Sequence, residues 1–195
     1  MLQLGGLRRA YSMGNTAQDD RHWQFIVRRT ERGLMGRALF ELTEGVRLQL
    51  DGPYGLAHLR AESPRELVCI GGGSGLAPLM SILKGAHLVP RQTRQGWLFY
   101  GARSESHLPD VPQLLGADIA RNVRYRAVLS TQASCLGSGN LNGMVHEHVA
   151  ACLDKAPLEY DFYLAGPPPM IEACLRLLVI EHQVPQSQII YDRFF

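Results

Sequence analysis

Between residues 21 and about 59, apolar and polar side chains alternate in short runs broken by turn formers. His22-Trp23-Gln24-Phe25-Ile26-Val27-Arg28-Arg29 and Val46-Arg47-Leu48-Gln49-Leu50 read as half-buried strands, and Asp51-Gly52-Pro53-Tyr54-Gly55 reads as a turn. This is antiparallel β texture. After Ser63-Pro64 the pattern changes. Strand segments at Leu67-Val68-Cys69-Ile70, Trp97-Leu98-Phe99-Tyr100, Val123 to Leu129, Asp161 to Ala165 and Gln188 to Tyr191 alternate with stretches of helical period at about 77–88, 109–120, 143–154 and 168–183. Runs of that kind are parallel strands joined by crossover helices. In the last helix Met170, Cys174, Leu177, Leu178 and Glu181 fall three or four apart, and Pro167-Pro168-Pro169 suits a first turn whose N–H groups have no helical partner. Ser130 to Gly143, rich in Ser, Gly and Asn, predicts one extended loop. The expectation is a two-domain α+β chain, with antiparallel β over 1–62 and a five-stranded parallel α/β domain over 63–195.

Composition narrows the function classes. With 195 residues, 46% hydrophobic and 19% charged, the chain can bury a core. A net charge of +2 is too small to point to nucleic acid. No apolar stretch approaches the ~20 residues of a bilayer span, and the first nine residues lack the basic-then-apolar pattern of a secretory signal, so the expectation is a cytoplasmic protein. Cys69, Cys135, Cys152 and Cys174 lie far apart, which predicts reduced thiols rather than zinc or iron-sulfur ligands. His146-Glu147-His148 is not H-E-x-x-H, because Ala150 stands where the second histidine would be needed. No metal site is expected.

Three segments carry candidate chemistry. Cys69-Ile70-Gly71-Gly72-Gly73-Ser74-Gly75-Leu76-Ala77-Pro78 takes a buried strand through glycines into a helix, where close backbone approach and free N–H groups favour a phosphate. It is neither G-x-G-x-x-G, since Leu76 occupies the last glycine position, nor a Walker loop, since no Gly-Lys-Ser/Thr occurs. Taken alone it also fits a tight strand-to-helix turn that binds nothing. Tyr163-Leu164-Ala165-Gly166-Pro167-Pro168-Pro169-Met170 is a second such turn, and two at the ends of parallel strands would flank one crevice. Arg9-Ala10-Tyr11-Ser12 offers a cation, an aromatic face and a hydroxyl; on an extended strand Arg9 and Tyr11 would share a side.

Together these segments resemble the R-x-Y-S/T, G-G-T/S-G-x-A-P and C/A-G-P-P-x-M motifs of the ferredoxin-NADP reductase superfamily, in the same order and spacing. Within it the chain is most similar to the reductase components of bacterial ring-hydroxylating dioxygenases and monooxygenases. The resemblance implies an FAD-binding β-barrel followed by the nucleotide-binding domain, and an FAD-dependent NAD(P)H oxidoreductase passing electrons to a separate ferredoxin or oxygenase component. It implies that Arg9 binds the FAD pyrophosphate, that Tyr11 stacks on the isoalloxazine and that Ser12 hydrogen-bonds near flavin N5. Ile26, Val27, Gly33, Met35 and Gly36 complete the implied flavin side; Gly36 replaces the hydroxyl residue of a G-x-x-S stretch. Gly73, Ser74, Gly75 and Pro78, with Gly166, Pro167, Pro168 and Met170, would hold the nicotinamide nucleotide, and Gly101 and Arg103 would lie on its adenosine side. Ala165 stands where many relatives carry cysteine, and Phe194 belongs to an aromatic ending that packs beside the flavin. Methionines such as Met35 and Met170 are more often packing residues than functional ones. Leu129-Ser130-Thr131-Gln132 lacks the Ser-Arg pair that grips a 2′-phosphate in relatives, which favours NADH; Arg103 and Arg126 keep NADPH open.

The resemblance also shows what is short. A barrel of this superfamily has six strands with R-x-Y-S on the fourth, and here Met1 to Leu4 resembles the end of the third. Unpaired ladder groups would follow, with weakened FAD affinity and a homodimer through the shortened barrel as expectations. No C-x₄-C-x₂-C spacing marks a fused ferredoxin domain. Arg8, Arg9, Arg28 and Arg29 could steer an acidic ferredoxin or be scattered solvated charge. Two other readings remain: a nucleotide-binding fragment without turnover, and an electron-transfer subunit of another flavoenzyme complex, such as that of dihydroorotate dehydrogenase, whose C-terminal cysteine cluster is absent here.

Overall fold

The computed structural model describes residues 1–16, 22–29, 33–89, 94–131 and 139–194. The first part is a small antiparallel sheet. Strands β1 (Leu2–Leu4) and β2 (Leu7–Arg9) form a hairpin through Gly5 and Gly6, both at positive φ, and β3 (Gln49–Leu50) pairs with the other edge of β1, giving the order β2-β1-β3. Helix α1 (Leu34–Phe40) follows the hairpin in the chain.

The predicted strand over 22–29 is reduced, among its described residues, to a single bridge between Met13 and Phe25, and the strand over 46–50 to its last two residues. The physical reason is exposure. Val46, Leu48 and Leu50 are 46%, 36% and 44% exposed, so no second layer rewards their alternation with burial.

The second part is a parallel sheet of six strands, one more than expected. Its strands are β4 (Glu66–Gly72), β5 (Gly96–Ala102), β6 (Val123–Leu129), β7 (Leu141–Asn142), β8 (Tyr160–Gly166) and β9 (Ile189–Arg193), in the order β7-β6-β5-β4-β8-β9. The additional strand, β7, lies inside the stretch expected to be loop; two residues pairing with Val128 and Leu129 are too few to show a period. From β4 the chain builds outward through β5 and β6, then returns to the other side as β8. The order therefore reverses between β4 and β8, where open α/β sheets leave a crevice at their carboxyl ends.

Helices α2 (Leu76–His87), α3 (Val111–Leu115) and α4 (Ala117–Ala120) follow, then α5 (Val145–Cys152) and α6 (Pro168–Leu175). The helix predicted over 109–120 is two helices, because Gly116 at φ 82° breaks it. The last helix continues from α6 as a π-helical segment, Arg176–Glu181. Glu147 accepts a hydrogen bond from the Met144 N–H at 2.7 Å and His148 Nε2 lies 2.8 Å from the Asn142 carbonyl, which gives the His-Glu-His stretch a structural use.

The core has one layer on each sheet face. Leu67, Cys69, Leu98 and Tyr163 of the sheet cluster with Leu79 and Leu83 of α2 and Val111 of α3, and Val68, Ile70, Phe99 and Phe162 with Val149 of α5 and Ile171 of α6. Burial pushes the Cys174 thiol up to about 12 and that of Cys69 up as well, as expected of inert core thiols. Cys152 is also a free thiol, while Cys135 lies outside the described residues. A buried ion pair closes the amino end of the sheet. Arg94 Nη2 donates to Asp161 Oδ2 at 2.9 Å, while its Nε and Nη1 donate to the carbonyls of Arg65 and Arg60. One guanidinium therefore ties the connection between the two parts to β8. Among the described residues no helix is long and apolar enough to cross a membrane, and no group of three or more His, Cys, Asp or Glu is placed to hold a metal ion.

Candidate nucleotide and flavin site

The site begins where β4 turns into α2. Gly73 has φ 58°, a left-handed conformation that glycine reaches without strain. A Cβ on Gly71 would stand 2.6 Å from Leu79 Cδ1, and one on Gly75 would overlap the Ala165 carbonyl. The second turn interlocks with the first. Gly166, at φ 153°, brings its backbone so close that a Cβ there would lie 3.1 Å from the Gly72 carbonyl oxygen and 2.8 Å from Met170 Cε. The Met170 thioether thus lies over both turns, with its sulfur 3.1 Å from where a Gly72 Cβ would be.

Tyr100 Oη donates to the Gly73 carbonyl at 3.0 Å and steadies the bend from beneath. Neither the Gly73–Gly75 turn nor the start of α2 has a side-chain cap. Uncapped N–H groups at the head of a twelve-residue helix, lined by glycines that leave the backbone bare, fit the pyrophosphate of a dinucleotide. Pro78 is buried in the first turn of α2, and Pro168 opens α6.

Arg9 closes β2, and Tyr11 lies two residues further on, just beyond the strand. They are still neighbours. Partial burial raises the Tyr11 phenol, and the Arg9 charge pulls it back. A half-buried phenol beside an exposed guanidinium fits a flat ring carrying a phosphate tail. The Ser12 side chain lies beside Asp192 of β9, across the domain boundary, where it favours the charged carboxylate against the larger effect of burial. The adjoining Phe194 N–H donates to the Gly166 carbonyl at 2.9 Å, which fixes the end of the chain to the second turn.

The remaining predicted residues divide. Met35 is 4% exposed and Gly36 is buried, with a Cβ there 3.7 Å from the Arg28 carbonyl; Gly33 accepts the Arg37 N–H as α1 begins. Ile26 packs against the core beneath α2 and so helps to join the domains; Val27, next along the chain, is half-buried. Gly101 lets β5 approach Val145, and Arg103 is exposed at the strand end, its carbonyl accepting the Thr131 N–H at 3.1 Å. Arg126 lies over the Trp97 ring, 5.7 Å from its centroid, three residues before the end of β6. Gln132 lies outside the described residues.

Two residues acquire a place that sequence reading did not give them. Arg28 extends from the first domain until its Nη1 lies 3.8 Å from where a Gly73 Cβ would be, and its charge acts on the phenol of Tyr100. Asp192 was legible only as part of an aromatic ending, yet it lies beside Ser12, and burial raises its carboxyl pKa. Nothing local marks either residue, because each acts across the domain boundary.

This geometry matches known families. Residues 69–176 match the oxidoreductase NAD-binding domain and residues 3–59 the oxidoreductase FAD-binding domain. The chain belongs to the oxidoreductase NAD-binding family, here preceded by the FAD-binding partner that the superfamily resemblance implies. It is 36% identical over 195 residues to the ferredoxin-NAD(P)(+) reductase CarAd of Metapseudomonas resinovorans, covering 99% of this chain and 57% of that protein. It is 33% identical over 190 residues to the ferredoxin-NAD(P)(+) reductase component of the naphthalene 1,2-dioxygenase/salicylate 5-hydroxylase systems of a Ralstonia species, covering 96% and 56%. The solved ferredoxin reductase in carbazole 1,9a-dioxygenase superposes with a TM-score of 0.86 at 32% identity, over 100% of this chain and 58% of that one. The chain thus spans a little over half the length of these relatives.

Proposed function

We propose that the chain transfers electrons from NADH, through FAD, to a separate ferredoxin or oxygenase component. The observation that supports this reading is the approach of the first domain to the paired glycine turns, with Arg28 Nη1 3.8 Å from where a Gly73 Cβ would be and Ser12 beside Asp192 of β9. The chemistry supplied by the bound groups is hydride donation by nicotinamide, and its acceptance followed by single-electron release by flavin. The protein supplies position. Gly73, Ser74 and Gly75 with Pro167 and Pro168 hold the nicotinamide nucleotide, and Arg28 adds a charge to its phosphates. Arg9 and Tyr11 hold the flavin, and Ser12 with the Asp192 carboxyl holds a proton at its edge.

NADH fits better than NADPH. Arg126 is engaged on Trp97, which leaves Arg103 as the cation nearest the adenosine end among the residues weighed for a 2′-phosphate. The names of the relatives support a ferredoxin or oxygenase acceptor. The exposed Arg8 and Arg29 offer an acidic partner a basic rim, although Arg8 already pairs with Asp51 at 2.7 Å. A cytoplasmic location suits a protein fed by NADH. Self-association through the first domain is favoured by the exposed Val46, Leu48 and Leu50 beside the short strand β3.

The test is titration of the purified chain with FAD followed by visible absorption, then NADH oxidation with ferricyanide as acceptor. Saturable flavin binding with steady turnover is expected. Nucleotide binding without turnover would overturn the reading in favour of a binding fragment. Sedimentation of the same sample tests self-association.

A further inference from the structure

Helix α2 starts at the glycine turn, but its middle is what meets the first domain. Ser81, Lys84 and Gly85, spaced three and four apart, share one helix face. Ser81 Oγ donates to the Asn15 carbonyl at 2.8 Å, and Lys84 Nζ donates to the Gly14 carbonyl and to Gln24 Oε1, each at 3.2 Å. Gly85 permits the close approach: a Cβ there would lie 3.4 Å from Leu59 Cδ2 and 3.9 Å from Thr16 Cγ2.

The receiving loop is itself braced. Asn15 is 3% exposed; its amide donates to the His22 carbonyl at 2.8 Å and accepts the Gln24 N–H at 2.9 Å, while the Gly14 N–H donates to the Gln24 carbonyl at 2.7 Å. A buried amide satisfied on both sides is costly to displace. The loop carbonyls held by α2 follow Ser12 by two and three residues, and α2 follows Gly75 directly. A rigid helix therefore connects the flavin-side segment to the nucleotide turn.

We propose that Ser81 and Lys84 are positioning residues, acting through Gly14, Asn15 and Gln24 to set the separation and tilt of Tyr11-Ser12 relative to the Gly73–Gly75 turn. This rests on the reading of the cleft given above. Both residues reach the loop rather than the glycine turn, so the effect expected is on geometry rather than on affinity. A displacement of ~1 Å at a reacting pair can cost about a hundredfold in rate.

The experiment uses full-length Lys84→Met, which keeps the aliphatic stem and loses the ammonium, with Lys84→Arg as the conservative variant and Ser81→Ala as a second, gentler lesion. Without cofactors, small-angle scattering of Lys84→Met is expected to show a larger radius of gyration, and thermal unfolding to separate into two transitions. With FAD and NADH, kcat for ferricyanide reduction is expected to fall by about tenfold while the KM for NADH and the FAD affinity change by less than about twofold. Lys84→Arg should recover most of kcat, and Ser81→Ala should move both readouts the same way by less. A Lys84→Met protein with wild-type scattering and wild-type kcat would overturn the proposal. So would one that is less stable in a single transition with kcat per bound flavin unchanged, since that is the signature of a merely structural residue. Failure of the cleft reading looks different: the wild-type chain itself would not turn over, while the scattering comparison would still decide whether Lys84 couples the domains.

Discussion

At Gly75 a single methyl group would collide with the Ala165 carbonyl, and the collision is with backbone, so no side chain can swing aside. Gly75→Ala is expected to destabilise the chain by about 3 kcal/mol or more, read by urea unfolding, and to weaken NADH binding. Asp192 makes a prediction of a different kind. Burial raises its folded pKa above the ordinary value of 3.8, and the Ser12 hydrogen bond only partly offsets this. A raised carboxyl favours the folded state most fully below the unfolded pKa, and that advantage is lost as pH rises through the folded one. Asp192→Asn, which keeps a carbonyl acceptor for Ser12, should therefore gain Tm relative to wild type as pH rises from about 4 to 7, read by thermal unfolding across that range. Glycine and proline motifs were legible in the sequence because they act on their own backbone. Arg28 and Asp192 were not, since what they do depends on which residues the fold brings opposite them.

Between elements, the same distinction separates what could be read from what could not. The long strands β4, β5 and β8 were visible as mainly apolar runs, because burial on both faces demands such runs whatever lies next to them, and β6 was visible from the apolar residues at its buried end. The two-residue strand β7 and the short strands of the first domain are not legible in the same way, because strand formation there depends on neighbours that one stretch of chain does not reveal. Gly116 sits inside a helical period that continues through it, so the apolar pattern does not show the break that its positive φ makes. The Arg94–Asp161 pair was equally invisible, lying 67 residues apart in the chain. Both side chains are 1% exposed, so removing one leaves the other charged and buried. Arg94→Met should cost on the order of 3–5 kcal/mol in denaturant unfolding, and it should also loosen the connection whose carbonyls at Arg60 and Arg65 it binds. Asp161→Asn, which keeps the shape, should cost less.

For the whole molecule, acid sensitivity offers a further check. Arg124 and Tyr160 hold the Asp154 carboxyl down at about 2, below its ordinary 3.8, joining β6 and β8 to the turn after α5. A lowered carboxyl contributes stability that is present above the unfolded pKa and lost as pH falls through the folded one. Asp154→Asn should thus be less thermostable than wild type near neutrality, and the gap should close as pH falls from about 4 towards 2. The overall arrangement, antiparallel β ahead of a parallel α/β domain, was legible because the change in hydrophobic period at Ser63-Pro64 is abrupt; how the two parts dock through α2 was not. The interlocked turns at Gly75 and Gly166 also bear on engineering. Because the backbone of each fills the space a side chain would need on the other, residues 71–78 and 165–170 form one heritable module. A chimera that imports either segment from a cousin with a different coenzyme preference must import its counterpart too, or the graft will not seat.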